Sequence, residues 1–332
     1  MTRGRWATAA VVAWFAAAAL AAPPVAERVS FESPALDRTS GRPVRIDAQL
    51  FRPQAEGVAG QRFPAVIALH GCGGMHSNDP KRPDALSSRN REMAAVLVAE
   101  GYIVLFPDSL RSRGIAEICT LAAGKRPVTV DDRRQDVLGA LAYLQQRPDV
   151  FADRVGVVGW SHGGATVLAA SNRKDAHVAA WHRQQPAPPY LRAAAAFYPG
   201  CAASERVRTG YALAVPLALY IGAADDWTPA APCERLAAKL AAAGDDVAIT
   251  VYPGAYHGFD GVAVERRRLD VPGGVHPGQG VTVAGDPQAR VDSHARLLAF
   301  LRGRLAPGES AAKATSAVPT GRPSAAADAE RK

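Results

Sequence analysis

The stretch Val155-Gly-Val-Val158, followed by Gly159-Trp-Ser-His-Gly-Gly164, constrains this chain more than any other. The apolar run reads as a strand buried on both faces. The glycine-flanked serine after it reads as an abrupt strand-to-helix turn with Ser161 at its apex, the nucleophile-elbow pattern Gly-x-Ser-x-Gly. Glycines two residues either side of the apex have a steric purpose. Strand and helix approach too closely there for a Cβ, and the apex backbone is itself strained. The helix starting beyond the serine points its first N–H groups toward any oxyanion formed on an attacked carbonyl. A glycine-rich turn with an idle serine would share these five residues, so the rest of the chain has to decide.

Strand-like and helical segments alternate around that turn. Arg28–Glu32, Val44–Phe51, Pro64–Leu69, Tyr102–Phe106, Ala193–Tyr198, Pro216–Ile221 and Val247–Tyr252 read as strands beside the one ending at the elbow. Ser88–Glu100, Asp131–Gln146, the run from Ser161 to about Ala170, Ala231–Ala243 and Ser293–Leu305 read as helices. In Asp131–Gln146 the spacing puts Val137, Leu138, Leu141 and Leu144 on one face and predicts Asp132, Arg133 and Asp136 in solvent. This alternation predicts an α/β fold with a mostly parallel, doubly wound sheet of about eight strands and helices on both faces. The excursions Asn172–Tyr190 and Asp260–Arg290 are expected to shape a substrate pocket, with Trp160, Trp181 and Trp227 as candidate apolar walls.

At 332 residues and 48% hydrophobic, the chain can bury a full core. Its net charge of +8 is scattered among acids except for Arg266-Arg267-Arg268, with no basic stripe interleaved with aromatics, which argues against nucleic-acid binding. Residues 1–21 resemble a secretory signal: Arg3 and Arg5, an apolar Ala7–Leu20, and a small-x-small site at Ala19-Leu20-Ala21. That run is short for a bilayer span, so cleavage is expected to leave no stable membrane anchor and a periplasmic or secreted protein. The domain is expected over 22–305. From about Ala306 the composition is Ala, Pro, Ser, Gly and charge without periodicity, which predicts a disordered tail over 306–332. In an oxidising compartment the four cysteines favour disulfides over metal ligation, with three pairings open. Cys72–Cys119 and Cys201–Cys233 are favoured, because each would join two loops at the same end of the sheet.

A serine hydroxyl needs an adjacent base, and here the helpers follow it in the order serine, acid, histidine. The acid is Asp225 in Gly222-Ala-Ala-Asp225-Asp226-Trp227, just past a strand end, with Asp226 as its rival; the one not used is free to cap the helix at Pro229 or to meet solvent. The base is His257 in Tyr252-Pro-Gly-Ala-Tyr-His-Gly-Phe259, whereas His76, His177, His276 and His294 read as surface or core histidines. Two backbone N–H donors are expected to form an oxyanion hole: His162, directly after the serine, and Cys72 or Gly73 in His70-Gly-Cys-Gly-Gly74. The glycine spacing of that loop fits neither a P-loop nor a dinucleotide fingerprint.

Taken with Phe106-Pro-Asp-Ser109 and Phe197-Tyr-Pro-Gly-Cys201, these motifs resemble, in order and over about residues 60–305, the dienelactone hydrolase family of the α/β-hydrolase superfamily. The resemblance implies hydrolysis of a small-molecule ester or lactone by a triad mapping onto Ser161, Asp225 and His257, with no metal or other cofactor. Dienelactone hydrolases proper carry cysteine where this chain has Ser161, which argues against dienelactone itself as substrate. A prolyl-oligopeptidase-type peptidase, an acyltransferase and a non-catalytic exported binding protein are the competing readings.

Overall fold

The structure is a computed structural model that describes residues 25–54, 60–184 and 190–306. The expected leader at 1–21 and the tail beyond Ala306 lie outside the described residues. The strands are β1 (Ala26–Leu36), β2 (Pro43–Phe51), β3 (Phe63–Leu69), β4 (Ile103–Pro107), β5 (Val150–Trp160), β6 (Ala193–Phe197), β7 (Leu217–Gly222) and β8 (Val247–Tyr252). They form one sheet in the order β1-β2-β4-β3-β5-β6-β7-β8, antiparallel at β1/β2 and β2/β4 and parallel from β4 to β8.

Side-chain character follows position. In β6 every residue of Ala193–Phe197 is buried, as an unbroken apolar run requires between covered faces. Near the antiparallel edge, β2 begins by alternation, with Val44 and Ile46 buried and Arg45 and Asp47 exposed.

The helices are α1 (Ser88–Ala99), α2 (Val130–Gln145), α3 (His162–Ser171), α4 (Ala176–Gln184), α5 (Ala202–Glu205), α6 (Ala230–Ala242) and α7 (Pro287–Leu305). Two glycines of β5 show that both faces of the sheet are covered. A Cβ at Gly156 would lie 3.2 Å from Leu305 of α7, and one at Gly159 would lie 2.3 Å from the Gly163 carbonyl of α3. Residues 156 and 159 point to opposite faces, so α3 and α7 lie on opposite sides. The chain reverses its direction of winding between β3 and β5, and the ends of those strands form the crevice where open α/β sheets bind ligands.

Two expectations need correction here. Arg133 and Asp136 are not solvated: both are fully buried, because the segment after β4 covers that face of α2 and Arg113 binds Asp136 at 2.8 and 2.9 Å. Asp132 is only half-buried and closes a capping box with Thr129 at the start of α2. The closing helix begins six residues earlier than the periodicity suggests, at Pro287, because the Asp286 carboxylate caps the Gln288 and Ala289 N–H groups.

Candidate functional site

Ser161 sits at the predicted apex with φ 55° and ψ −117°, a backbone conformation that costs energy for a residue with a Cβ. Tight packing holds it there. The Ser161 N–H donates to the Phe197 carbonyl at 3.0 Å, and a Cβ at Gly163 would come within 2.2 Å of the Leu69 carbonyl. The two glycines of the motif are therefore demanded by the close approach of β3, β5 and α3.

His257 reaches the serine from the loop after β8. Its Nε2 lies 3.0 Å from Ser161 Oγ and its Nδ1 2.9 Å from Asp225 Oδ2, and both His257 and Asp225 are buried. Asp225 is fixed independently of the histidine. Its Oδ1 accepts the Trp227 and Thr228 N–H groups at 2.9 and 2.8 Å, and the Thr228 hydroxyl stands 2.9 Å from Oδ2. The imidazole packs against two tilted aromatic rings, Tyr198 at 4.5 Å and Trp227 at 4.6 Å between centroids.

The rival Asp226 does not cap the helix at Pro229 and is only partly open to solvent. Its carboxylate accepts the Thr282 N–H at 2.7 Å and lies 3.0 Å from the Thr282 hydroxyl and 3.4 Å from Arg267. It thereby anchors a hairpin of β9 (Arg266–Arg268) and β10 (Val281–Val283) within the Asp260–Arg290 excursion.

The loop after β3 lies against Ser161, since a Cβ at Gly71 would be 3.6 Å from Ser161 Cβ. The Cys72 carbonyl accepts the Ile118 N–H at 2.9 Å, and Cys72 is bonded to Cys119, so the loop is tied twice to the segment after β4. The second disulfide joins Cys201 to Cys233, and both pairings are the expected ones. His162, as the first residue of α3, has no acceptor for its N–H within the helix.

Two adjoining pockets open on Ser161. One of about 340 Å³ is largely apolar, with Val130, Ala165, Ala169 and Ala203, and carries Arg126. The other, of about 290 Å³, includes Asn78, Asn90, Arg89, Arg266 and Arg268. The hairpin excursion therefore shapes the site as expected, whereas no described residue of Asn172–Tyr190 lines either pocket. That stretch instead forms α4, and Trp181 packs on the core. Trp160 and Trp227 reach the pockets. The wall on the apolar side comes from Ala123–Val130, a segment to which sequence reasoning assigned no role.

Sequence reasoning also missed Thr228, Tyr198 and Asp260. Thr228 secures Asp225, and Tyr198 donates to Asp260 at 2.6 Å while its ring packs, tilted, against His257. Asp260 is fully buried and also meets Arg89 at 3.2 Å. Tyr198 lies inside a stretch singled out as a motif, and Thr228 directly follows one. Among the described residues, no group of three or more His, Cys, Asp or Glu side chains is arranged to hold a metal ion.

The sequence matches the dienelactone hydrolase family over residues 46–302. No curated protein matches it. Among solved structures, a Klebsiella pneumoniae protein described as a dienelactone hydrolase is similar at 19% identity and TM-score 0.56, over 83% of this chain and 98% of that one. A dienelactone hydrolase-like promiscuous phosphotriesterase from metagenomic libraries is similar at 18% identity and TM-score 0.54, over 84% and 98% of the two chains. Thermogutta terrifontis esterase 2 is similar at 17% identity and TM-score 0.53, over 84% and 97%.

Proposed function

Because the chain belongs to the dienelactone hydrolase family, we propose that it is an exported serine hydrolase cleaving carboxylic esters or lactones through Ser161, His257 and Asp225. The observation carrying this reading is the unbroken relay from Ser161 Oγ through His257 to Asp225, with steps of 3.0 and 2.9 Å. His257 Nε2 accepts the serine proton as Oγ attacks the carbonyl. Asp225 accepts a hydrogen bond from Nδ1–H, without taking the proton, and so fixes the tautomer that leaves Nε2 free. The tetrahedral oxyanion forms between the N–H groups of His162 and Cys72, and the alcohol departs with the proton from His257. Water then repeats the cycle on the acyl-enzyme. The apolar pocket suits the acyl chain and the polar one the leaving group. Export is supported by the leader-like residues 1–21 and by the two disulfides, which suit an oxidising compartment.

One observation favours a second reading. Porphyromonas gingivalis dipeptidyl peptidase 4 is similar over 86% of this chain at TM-score 0.53, although only 36% of that protein is covered. A panel of p-nitrophenyl esters of graded acyl length beside dipeptide p-nitroanilides separates the two. The esterase reading expects turnover of short esters with a sharp limit on length and no anilide cleavage. Faster release from anilides than from esters overturns it.

A further inference from the structure

Arg133 of α2 is a fully buried cation that the acyl-transfer scheme does not itself call for. A guanidinium taken out of water is costly unless its donors are used and its charge is compensated. Two of its nitrogens are used: Nη1 donates to His162 Nδ1 at 2.9 Å and Nη2 to the His70 carbonyl at 2.8 Å. Its Nε has no hydrogen-bond partner among the described residues. Asp136 is the carboxylate that attracts it most strongly, but Arg113 already binds both oxygens of Asp136. Asp108, which attracts it more weakly, is engaged by His76 at 2.7 Å and by the Arg111 N–H at 3.1 Å. The group Arg133, Arg113 and Asp136 thus carries one net positive charge, which Asp108 offsets through its weaker attraction.

The two acceptors identify what this charge serves. His162 carries one proposed oxyanion donor on its backbone, and His70 is the root of the loop that carries the other. Burial, and then the Arg133 charge, push His70 down to about 3 and hold His162 well below the usual histidine range. Both rings are therefore neutral, and His162 Nδ1 is free to accept. Burial lowers Arg133 only to about 10, so it stays charged near neutral pH.

We propose that Arg133 is a positioning residue for the oxyanion hole: it bridges the two backbone segments that carry the donors and adds a fixed positive charge to their surroundings. The inference rests on the serine-hydrolase reading. A charge held in a low-dielectric interior acts strongly on an oxyanion nearby and needs no reorganisation as the oxyanion forms.

Arg133→Met and Arg133→Lys are measured beside the wild type on p-nitrophenyl acetate, and for inhibition by an aryl trifluoromethyl ketone, which forms an oxyanion on Ser161 without a leaving group. In Arg133→Met, kcat is expected to fall on the order of 10²-fold, with KM within about threefold and ketone affinity falling in step with kcat/KM. Arg133→Lys, which keeps the charge but not the two-pronged bridge, recovers part of the loss. A folded Arg133→Met with kcat and ketone affinity within about threefold of the wild type overturns the proposal. Wild type inert to both ester and ketone overturns the hydrolase reading, and the inference with it. If Arg133→Met does not fold, Arg133→Lys and the wild type decide. ¹⁵N NMR of the wild type must show His162 Nδ1 without a proton, and a protonated Nδ1 overturns the bridge.

Discussion

Removing the Cys72–Cys119 bond tests whether the loop beside Ser161 depends on its tether. The bond closes a loop of sequence separation 47, and Cys201–Cys233 closes one of 32. Chain entropy assigns each a stabilisation of about 4 kcal/mol, with a difference between them of roughly 0.3 kcal/mol. Cys72→Ala/Cys119→Ala and Cys201→Ala/Cys233→Ala are thus expected to melt at similar temperatures, each roughly 8–16 °C below the wild type. Their kinetics are expected to diverge. Cys72 carries a proposed oxyanion donor, and without the disulfide the bond from the Ile118 N–H to its carbonyl is the tie that remains at Cys72 itself, with His76 bound to Asp108 four residues further along the loop. A loosened donor loses part of the 10²–10³-fold that a missing one costs, so kcat is expected to drop on the order of tenfold. Cys201 follows the turn after β6 and Cys233 lies in α6, and neither supplies a donor, so kcat for that variant is expected within about twofold of the wild type. Differential scanning calorimetry and saturating ester hydrolysis on all three proteins give both numbers. Equal kcat losses in the two variants, or none in the first, would refute the tether argument.

The two adjacent aspartates are expected to separate cleanly. Asp225→Asn lowers kcat by on the order of 10⁴, because it disturbs the tautomer of His257. Asp226→Asn lowers it by no more than about tenfold and instead costs about 1–3 kcal/mol of stability through the lost anchor on Thr282. Parallel kinetics and chemical denaturation on both variants check this. Stability should also fall on acidification. His70 has a folded value lowered to about 3, so the folded state binds fewer protons than the unfolded chain below the ordinary value of 6.5. This contribution is complete above that value and is lost as pH falls through the window toward 3. His70 alone removes about 2 kcal/mol between pH 7 and pH 5, with His162 acting in the same direction. Urea denaturation at the two pH values measures it, and a flat profile contradicts the assignment of these rings as buried and neutral.

Ser161 and His257 were legible in the sequence because steric necessity leaves a glycine signature, and because the chain order of a triad is independent of the fold's details. Asp225 and Asp226 were not separable, since both follow the same strand end. What divides them is direction, set by the Trp227 and Thr228 N–H groups on one side and by Thr282, 56 residues away, on the other. Arg133 was misread for a related reason. Polar residues at helical spacing signal solvent only when nothing covers them, and here the segment between β4 and α2 folds over that face and brings Arg113 to Asp136. Nothing local in Asp131–Gln146 records that cover. The strands were legible as elements, but β1 runs on to Leu36 because its pairing with β2 continues past an irregularity between Ser33 and Leu36.

The central claim is that Ser161 is a nucleophile activated by His257. Intact-mass spectrometry after treatment with a fluorophosphonate tests it most directly, on the wild type, Ser161→Ala and His257→Asn. One adduct is expected on the wild type, mapped to the peptide containing Ser161, none on Ser161→Ala, and labelling of His257→Asn slowed by orders of magnitude. Labelling of Ser161→Ala at the wild-type rate, or a wild-type adduct on another residue, would contradict it.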